Sequence, residues 1–575
     1  MVDRRFMRSV KPHTGAQILL LVALLWLVLR PTAYLFYGAI RTDSPGTPGA
    51  GYSLTSLGEA FGSLVGKGDL ALPLRNSLIV SSVSTVLALA MGVALAWLVQ
   101  RTNVRARRFI QVSLIIPIFY SMFVSLIGFS LLGSPRSGYV NVLWRNFTGG
   151  DESTSLIDIY TVKGIVIVMT LHYLPYIVLI MSGPMKAMDA ALEDAAAIAG
   201  SSKWQTTRRV TLPLLIPSIA AAGLFIFVLA MENFAIPGFL ATRIKFPVLA
   251  YSIYTRVVGL NPDLPLAAAA STVLLVIAIV LLVLYRHFTK TASRYVTVSA
   301  RGYRPATIDL GRWRPVYFVA SLLFVLATTY LPMGAVVLRS LMEVRGTDID
   351  LATLGSSNYS DLFHRAYFVE GLRNSAVLSV GVAVAVVALG LVVGRWKARQ
   401  RPTLVVTALD YAVSVPLALP GIVVGLAFLW AYVGTSLYLS LGLMGLALFA
   451  RFGAVGVQTV TSGILQIDRA LEEASSVAGA SGSTTMRRIT MPLIRPVLAS
   501  AWLVVFLMVA RELATSIMLY GQGSRTLPIL TWNLLVDAQY GSASALACLQ
   551  VISIVCIVLV FRLLMRIDIT SLKAR

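Results

Sequence analysis

The stretch EDAAAIAGSSKWQTTRRVTLPLLIP, residues 193–217, decides how this chain is organised, because it occurs twice. Its second copy is EEASSVAGASGSTTMRRITMPLIRP, residues 472–496, displaced by 279 positions. Aligning residues 189–220 with 468–499 needs no gap and gives about half identity. Glu193/Glu472, Gly200/Gly479, Arg208/Arg487, Pro213/Pro492 and Pro217/Pro496 all match. Each copy reads as an Ala-rich helix with acids in its first turn, which suits the helix dipole. A glycine then stops it. A second short helix follows, ending at Pro213, and Pro217 opens a membrane span. Lys203, Arg208 and Arg209 suit the headgroup boundary. A lone copy would pass for an amphipathic surface loop, but an ungapped pair with the same Gly-to-Pro spacing asks for a shared partner surface.

The surroundings of the repeat are apolar. Of 575 residues, 57% are hydrophobic and 13% charged, and the mean hydropathy is +0.80. That composition excludes a soluble globular protein and predicts an all-α polytopic membrane protein. Twelve runs reach spanning length: 16–39, 77–100, 109–133, 163–185, 215–236 and 265–286, then 316–338, 375–394, 404–432, 438–463, 497–520 and 543–565. The first run is too long for a signal peptide and lacks a small-residue cleavage site. The net charge of +23 belongs to loops rather than to a nucleic-acid-binding domain, since no stretch is polar enough for one. Arg101, Arg105, Arg107 and Arg108 fall on one side with Arg395, Lys397, Arg399, Arg401 and the basic linker 287–314. Asp151, Glu152, Glu343, Asp348, Asp350 and Asp361 fall on the other. The positive-inside rule then places both termini and both polar repeats in the cytoplasm.

The repeat extends beyond the polar segment. LRNS opens an apolar helix at Leu74–Ser77 and again at Leu372–Ser375. Two parallel six-span repeats follow, a unit at 1–286 and a unit at 315–575, joined by the linker 287–314. Their polar segments lie at 189–213 and 468–492.

The pattern Asp194-Ala195-Ala196, Gly200, Val210, Leu212-Pro213 resembles the EAA loop of bacterial binding-protein-dependent ABC importer permeases of the type I fold. The second copy reads Glu473-Ala474-Ser475, Gly479, Ile489, Met491-Pro492. The resemblance implies that each loop is a coupling helix docking into one of two cytoplasmic ATPase subunits. Asp194 stands where the family has Glu and Ser475 where it has Ala, with Glu193 and Glu472 able to stand in. The fused layout, the stretch LHYLPYIVLIMSGPMKAMDAALEDAA (171–196) and the phrase RGYRPATIDLGRW (301–313) are similar to the iron(III) permease subfamily. That likeness implies ferric iron as cargo, delivered by an external solute-binding protein. Related permeases carry aminoethylphosphonate, thiamine or polyamines. Asp348, Asp350 and Asp361 are docking groups for the binding protein or simply solvated acids.

Charges within spans are candidates for the translocation pathway. Glu232 and Asn233 close the fifth apolar run, and Arg511 and Glu512 align with them in the second half. A structural ion pair or snorkelling side chains would explain them equally. Pro237 and Gly238 are expected to break the helix just beyond. Asp410 is either functional or paired near Arg401. PLALPG, residues 416–421, should kink its span, whereas the first half has only Pro117 there, so the halves should differ.

The four histidines are dispersed, and Cys548 and Cys556, eight residues apart, lie about two helical turns from each other, too far for a disulfide. No metal-ligand spacing and no G-x-x-x-x-G-K-[ST] loop occurs, so no cofactor is expected on this chain; ATP and Mg²⁺ would sit on the partner ATPases. A rival class, an ion-coupled secondary transporter with two six-helix halves, shares the span count but has no use for twin polar loops.

Overall fold

The computed structural model describes residues 14–45, 47–151, 153–186, 188, 193, 195–196, 198–292, 307–343, 353–401 and 403–565. No strand occurs among them, only three isolated bridges. Ten helices among the described residues are long and apolar enough to cross a membrane, and the count rises to twelve if each of two bent helix pairs is one span.

The bent pairs are the third apolar runs of the two halves. Arg107–Phe119 meets Met122–Gly133 at 105°, and Leu404–Ala418 meets Gly421–Tyr432 at 110°. The expected difference between the halves is absent. One proline suffices: Pro117 enters a 3-10 turn, Ile116–Phe119, and Tyr120 then goes extended. Ser121 restarts the helix by accepting from the Phe123 amide. The second half reaches the same angle through Pro416 and Pro420. In each case the proline removes an intrahelical donor and the chain must find a new helix start.

The fifth spans also differ from expectation. Pro213 does not end a short helix. Lys203–Thr206 runs through a π-turn, Thr207–Thr211, directly into Leu212–Glu232. Gly482–Thr485, Met486–Thr490 and Met491–Ala510 repeat the arrangement. Leu212 and Met491 donate to the carbonyls of Thr207 and Met486, one residue further back than in an α-helix. The wider turn lets the helix pass a proline that lacks its own donor. At the far end the first of these helices stops at Glu232, well before Pro237, and Pro237 and Gly238 lie inside a short helix, Ala235–Ala241.

Packing divides the chain into two compact units that do not coincide with the sequence repeat. One unit comprises 1–54, 370–526 and 555–575; the other comprises 55–369 and 527–554. In the former, the first span, Thr14–Ala39, lies against Leu404–Ser414 and Gly421–Tyr432 of the second half. Leu24 is buried among Leu389, Leu409, Val413 and Val457. Gly38 approaches Trp430 so closely that a Cβ would sit 2.6 Å from the indole. Arg30 donates to the Ala431 carbonyl at 2.9 Å and lies over the Tyr432 ring. In the other unit the exchange is reciprocal. The span at Gly311–Leu341 packs on Met122–Gly133, where a Cβ on Gly128 would meet the Pro332 carbonyl at 2.6 Å. Tyr330 shares a hydrogen bond with Ser113 at 2.9 Å and stacks on Phe109. Lipid is as apolar as leucine, so such close approaches and polar clasps hold spans together where burial alone cannot.

LRNS has a structural use. Asn76 donates to the Pro247 carbonyl, and Ser77 accepts from the Leu249 amide. Asn374 likewise donates to the carbonyls of Gly523 and Arg525. Each copy ties the start of a second span to the segment after a fifth.

Candidate functional site

The second polar loop is described throughout. Asp468 caps Arg469–Val477 by accepting from the Ala470 amide, satisfying a donor that a helix start leaves orphaned. Gly479 then turns the chain with φ +83°, and Gly200 does so in the first loop with φ +81°. Both lie in the left-handed region that only glycine enters cheaply. A Cβ at either would meet nothing within 4 Å, so the constraint is the backbone and not crowding. Of the first loop, Glu193, Ala195, Ala196 and the residues from Ile198 onward are described, while Asp194 lies outside the described residues.

Glu193 and Glu472, the acids able to stand in for the motif's glutamate, are both paired within the structure. Glu193 pairs with Arg101, the last residue of the helix Ala71–Arg101, and accepts from the Thr211 hydroxyl at 2.9 Å. Arg399, the last residue of Ala366–Arg399, lies 3.0 Å from Glu472, which accepts from Thr490 at 3.1 Å. Thus one carboxylate fastens each loop to the end of a second span and to the π-turn of a fifth. Arg101 is 2% exposed, so its guanidinium has exchanged water for this carboxylate. The second anchor is wetter, at 13% and 19% exposure for Arg399 and Glu472.

What faces outward is different. Ala195, Gly200, Glu473, Ala474, Gly479, Pro213 and Pro492 are exposed, and Ala196 and Ser475 are half-buried. Ser475 shares a hydrogen bond with Thr485 at 2.9 Å, closing the two arms of the second loop. Ile198 and Val477, at 88% and 80% exposure, stand out from the loops as bare apolar groups. Each loop thus presents a small-residue surface with an exposed apolar group beside it.

The pathway candidates divide. Glu512, 8% exposed, accepts from Arg451 at 2.7 Å, from the Thr515 and Ser516 amides and from the Ser516 hydroxyl. Its carboxylate is therefore committed to capping Ser516–Leu519 and to one buried ion pair. Asn233 does the matching job: its Oδ1 accepts from the Ile236 amide at 3.1 Å, and its Nδ2 donates to Tyr173. Arg511 turns back onto the Leu507 carbonyl at 3.0 Å. Glu232 is half-buried at the end of its helix. Asp410 pairs with Lys397 at 2.7 Å rather than with Arg401, because Lys397 is on the facing turn of the preceding span.

Several partners escaped the sequence reading although signals for them existed. The spacing of the two LRNS copies, 298 positions, carries Arg101 onto Arg399. The spacing of the polar repeat carries Thr211 onto Thr490. Arg451 is a charge inside an apolar run, the feature that singled out Glu512. Among the described residues no cluster of three or more His, Cys, Asp or Glu is arranged to hold a metal.

Residues 84–294 and 387–568 match the family described as "Binding-protein-dependent transport system inner membrane component". The chain is 24% identical over 571 residues to the ferric transport system permease protein FbpB of Actinobacillus pleuropneumoniae, covering 97% of this chain and 79% of that one. It is 26% identical over 438 residues to a putative ferric transport system permease protein of Haemophilus influenzae, covering 74% and 67%. The spermidine/putrescine transport system permease protein PotB of Escherichia coli is 27% identical over 216 residues, 37% of this chain and 76% of PotB.

Proposed function

The chain belongs to the family of binding-protein-dependent transport system inner membrane components, matched twice along its length, and from that premise we infer that it is a fused permease subunit working with two copies of an ATPase. Each half contributes six spans and one coupling loop, at 189–213 and 468–492. The paired anchors, Arg101–Glu193–Thr211 and Arg399–Glu472–Thr490, carry this reading. An ordinary surface loop has no need of a carboxylate bound twice to the ends of two different spans. A coupling loop does, since a push on it must move the spans rather than bend the loop.

In this reading the exposed Ala195, Gly200, Glu473, Ala474 and Gly479, with Ala196, Ser475, Pro213 and Pro492 at their margins, are the docking surface, and Asp194 would join them. ATP and Mg²⁺ bind to the ATPases, and this chain holds no cofactor and hydrolyses nothing. Both termini are cytoplasmic, by the distribution of Lys and Arg. An external solute-binding protein delivers the cargo, for which ferric iron is the best-supported choice because the two ferric permeases are similar over most of the chain. Glu232 and Arg511 remain the pathway groups to test, while Asn233, Glu512 and Asp410 are each committed to partners within their own unit.

The test is reconstitution of the full chain with its ATPase and binding protein. Radioactive ferric iron uptake should require ATP and the binding protein. Uptake that persists after ATP depletion but stops when the ion gradient collapses would replace the importer with an ion-coupled transporter. Saturable ATP-driven uptake of a polyamine, with none of iron, would keep the importer and change the cargo.

A further inference from the structure

The described end of the linker is not a loose tether. Thr102 and Ile308 form a bridge: Ile308 donates to the Arg101 carbonyl at 2.7 Å, and the Asn103 amide donates to the Ile308 carbonyl at 3.2 Å. The Asn103 side chain completes the clasp. Its Nδ2 donates to Asp309 at 2.6 Å, and its Oδ1 accepts from the Leu310 amide at 3.1 Å. Two segments some 200 positions apart are thereby fixed side by side, next to the arginine that grips the first coupling loop.

They border an open, shallow hollow of about 550 Å³ lined by Asn103, Arg105, Arg107, Arg108, Thr307 and Arg314, the four arginines exposed. Among the described residues no carboxylate lines it, and no hydrogen bond or ion pair engages the four guanidinium groups. Asp309, the acid nearest in sequence, accepts from Asn103 and from the Gly311 amide. Four like charges lining one hollow create a positive potential that attracts an anion. A flanking ring indicates depth. Trp313, 54% exposed beside Arg314, is a ring of the kind that settles at the level of lipid headgroups. A solvated topology signal would account for the charges but not for a backbone clasp that gathers them around one hollow.

We propose that this hollow binds the phosphate of an anionic phospholipid from the leaflet at the coupling-loop end, and that the linker clasp is what builds it. Phosphate is the group that converging guanidiniums recognise, and a basic pocket bordered by such a ring takes it from a lipid. The second half carries basic residues on the same side, Arg395 and Arg401, but the offset that brings Arg101 onto Arg399 puts Thr403, Val405 and Val406 where the first half has Arg105, Arg107 and Arg108, and among the described residues no such clasp gathers them. The inference does not depend on the coupling assignment.

Cardiolipin binding to the purified full chain, measured by native mass spectrometry against phosphatidylcholine, tests it. The triple variant R105Q/R107Q/R314Q removes exposed charges and should fold normally, and at about fivefold per arginine it should weaken cardiolipin binding roughly 100-fold. R395Q/R401Q should bind as the parent does. Asn103→Ala keeps every arginine and opens the clasp, so it should lose at least about tenfold of the preference for cardiolipin. Parent-like binding by Asn103→Ala, or an equal loss in R395Q/R401Q, would mean diffuse charge attraction and overturn the site. Displacement of cardiolipin by millimolar inorganic phosphate would make free phosphate the occupant and overturn the lipid source.

Discussion

Glu193 and Glu472 show how much one side chain can be asked to do. Each is read from sequence as part of an acidic helix start, and each binds an arginine and a threonine from two other elements. Removing Glu193 would leave Arg101 buried without its counter-charge, a loss of about 3 kcal/mol in local stability. Glu193→Ala is therefore expected to uncouple the first loop, seen as ATP hydrolysis in the assembled transporter that no longer responds to loaded binding protein. Glu472→Ala, at the wetter anchor, should cost less and impair coupling less. Equal effects would mean that the two anchors bear the same strain. At Arg451 the expectation concerns folding. Arg451→Met leaves the Glu512 carboxylate buried with the Thr515 and Ser516 amides and the Ser516 hydroxyl but no counter-charge, and the midpoint of thermal unfolding in detergent should fall by several degrees. Iron uptake by the surviving folded fraction, measured per folded molecule, should be near normal if Glu512 serves the framework.

Among elements, the π-turn before each fifth span and the glycine turn before it set how the polar loop joins that span. Gly200→Trp and Gly479→Trp force a bulky residue into a left-handed backbone at a cost of about 1–2 kcal/mol, with open space around the side chain. The spans should stay folded, judged by an unchanged elution profile, while stimulated ATP hydrolysis falls. Normal stimulation in both would remove the docking role of these turns. The bent third spans teach a separate lesson about reading prolines. Pro117 alone gives a 105° bend because a 3-10 turn and the Ser121 cap complete what it begins. Counting prolines in PLALPG overstated the difference between the halves, since bend angle depends on where the next helix can start.

For the whole molecule, the exchange of first spans matters most. Thr14–Ala39 packs with helices of the second half, and Gly311–Leu341 with helices of the first. A fragment of residues 1–286 should consequently be unstable alone, with its first span lacking Leu404–Tyr432 as a partner. Co-expression with 287–575 should restore a monodisperse complex. A stable, monodisperse 1–286 fragment would show that the exchange contributes little.

Much of this was legible in the chain itself. Apolar runs of spanning length predict twelve crossings, and ten to twelve apolar helices are present among the described residues, because a bilayer tolerates no other backbone arrangement than the hydrogen-bonded helix or barrel. The ungapped polar repeat gave two equivalent loops, since identical spacing between glycine and proline preserves one local geometry. The partners of Glu193, Glu472, Glu512 and Asp410 were not legible, although Arg101, Arg399, Arg451 and Lys397 were all visible as charges. Pairing depends on which span ends lie side by side, and helices in lipid choose neighbours by fit at places such as Gly38 against Trp430 and Gly128 against Pro332. Sequence periodicity names the buried face of a helix. Only tertiary packing decides whose surface that face meets.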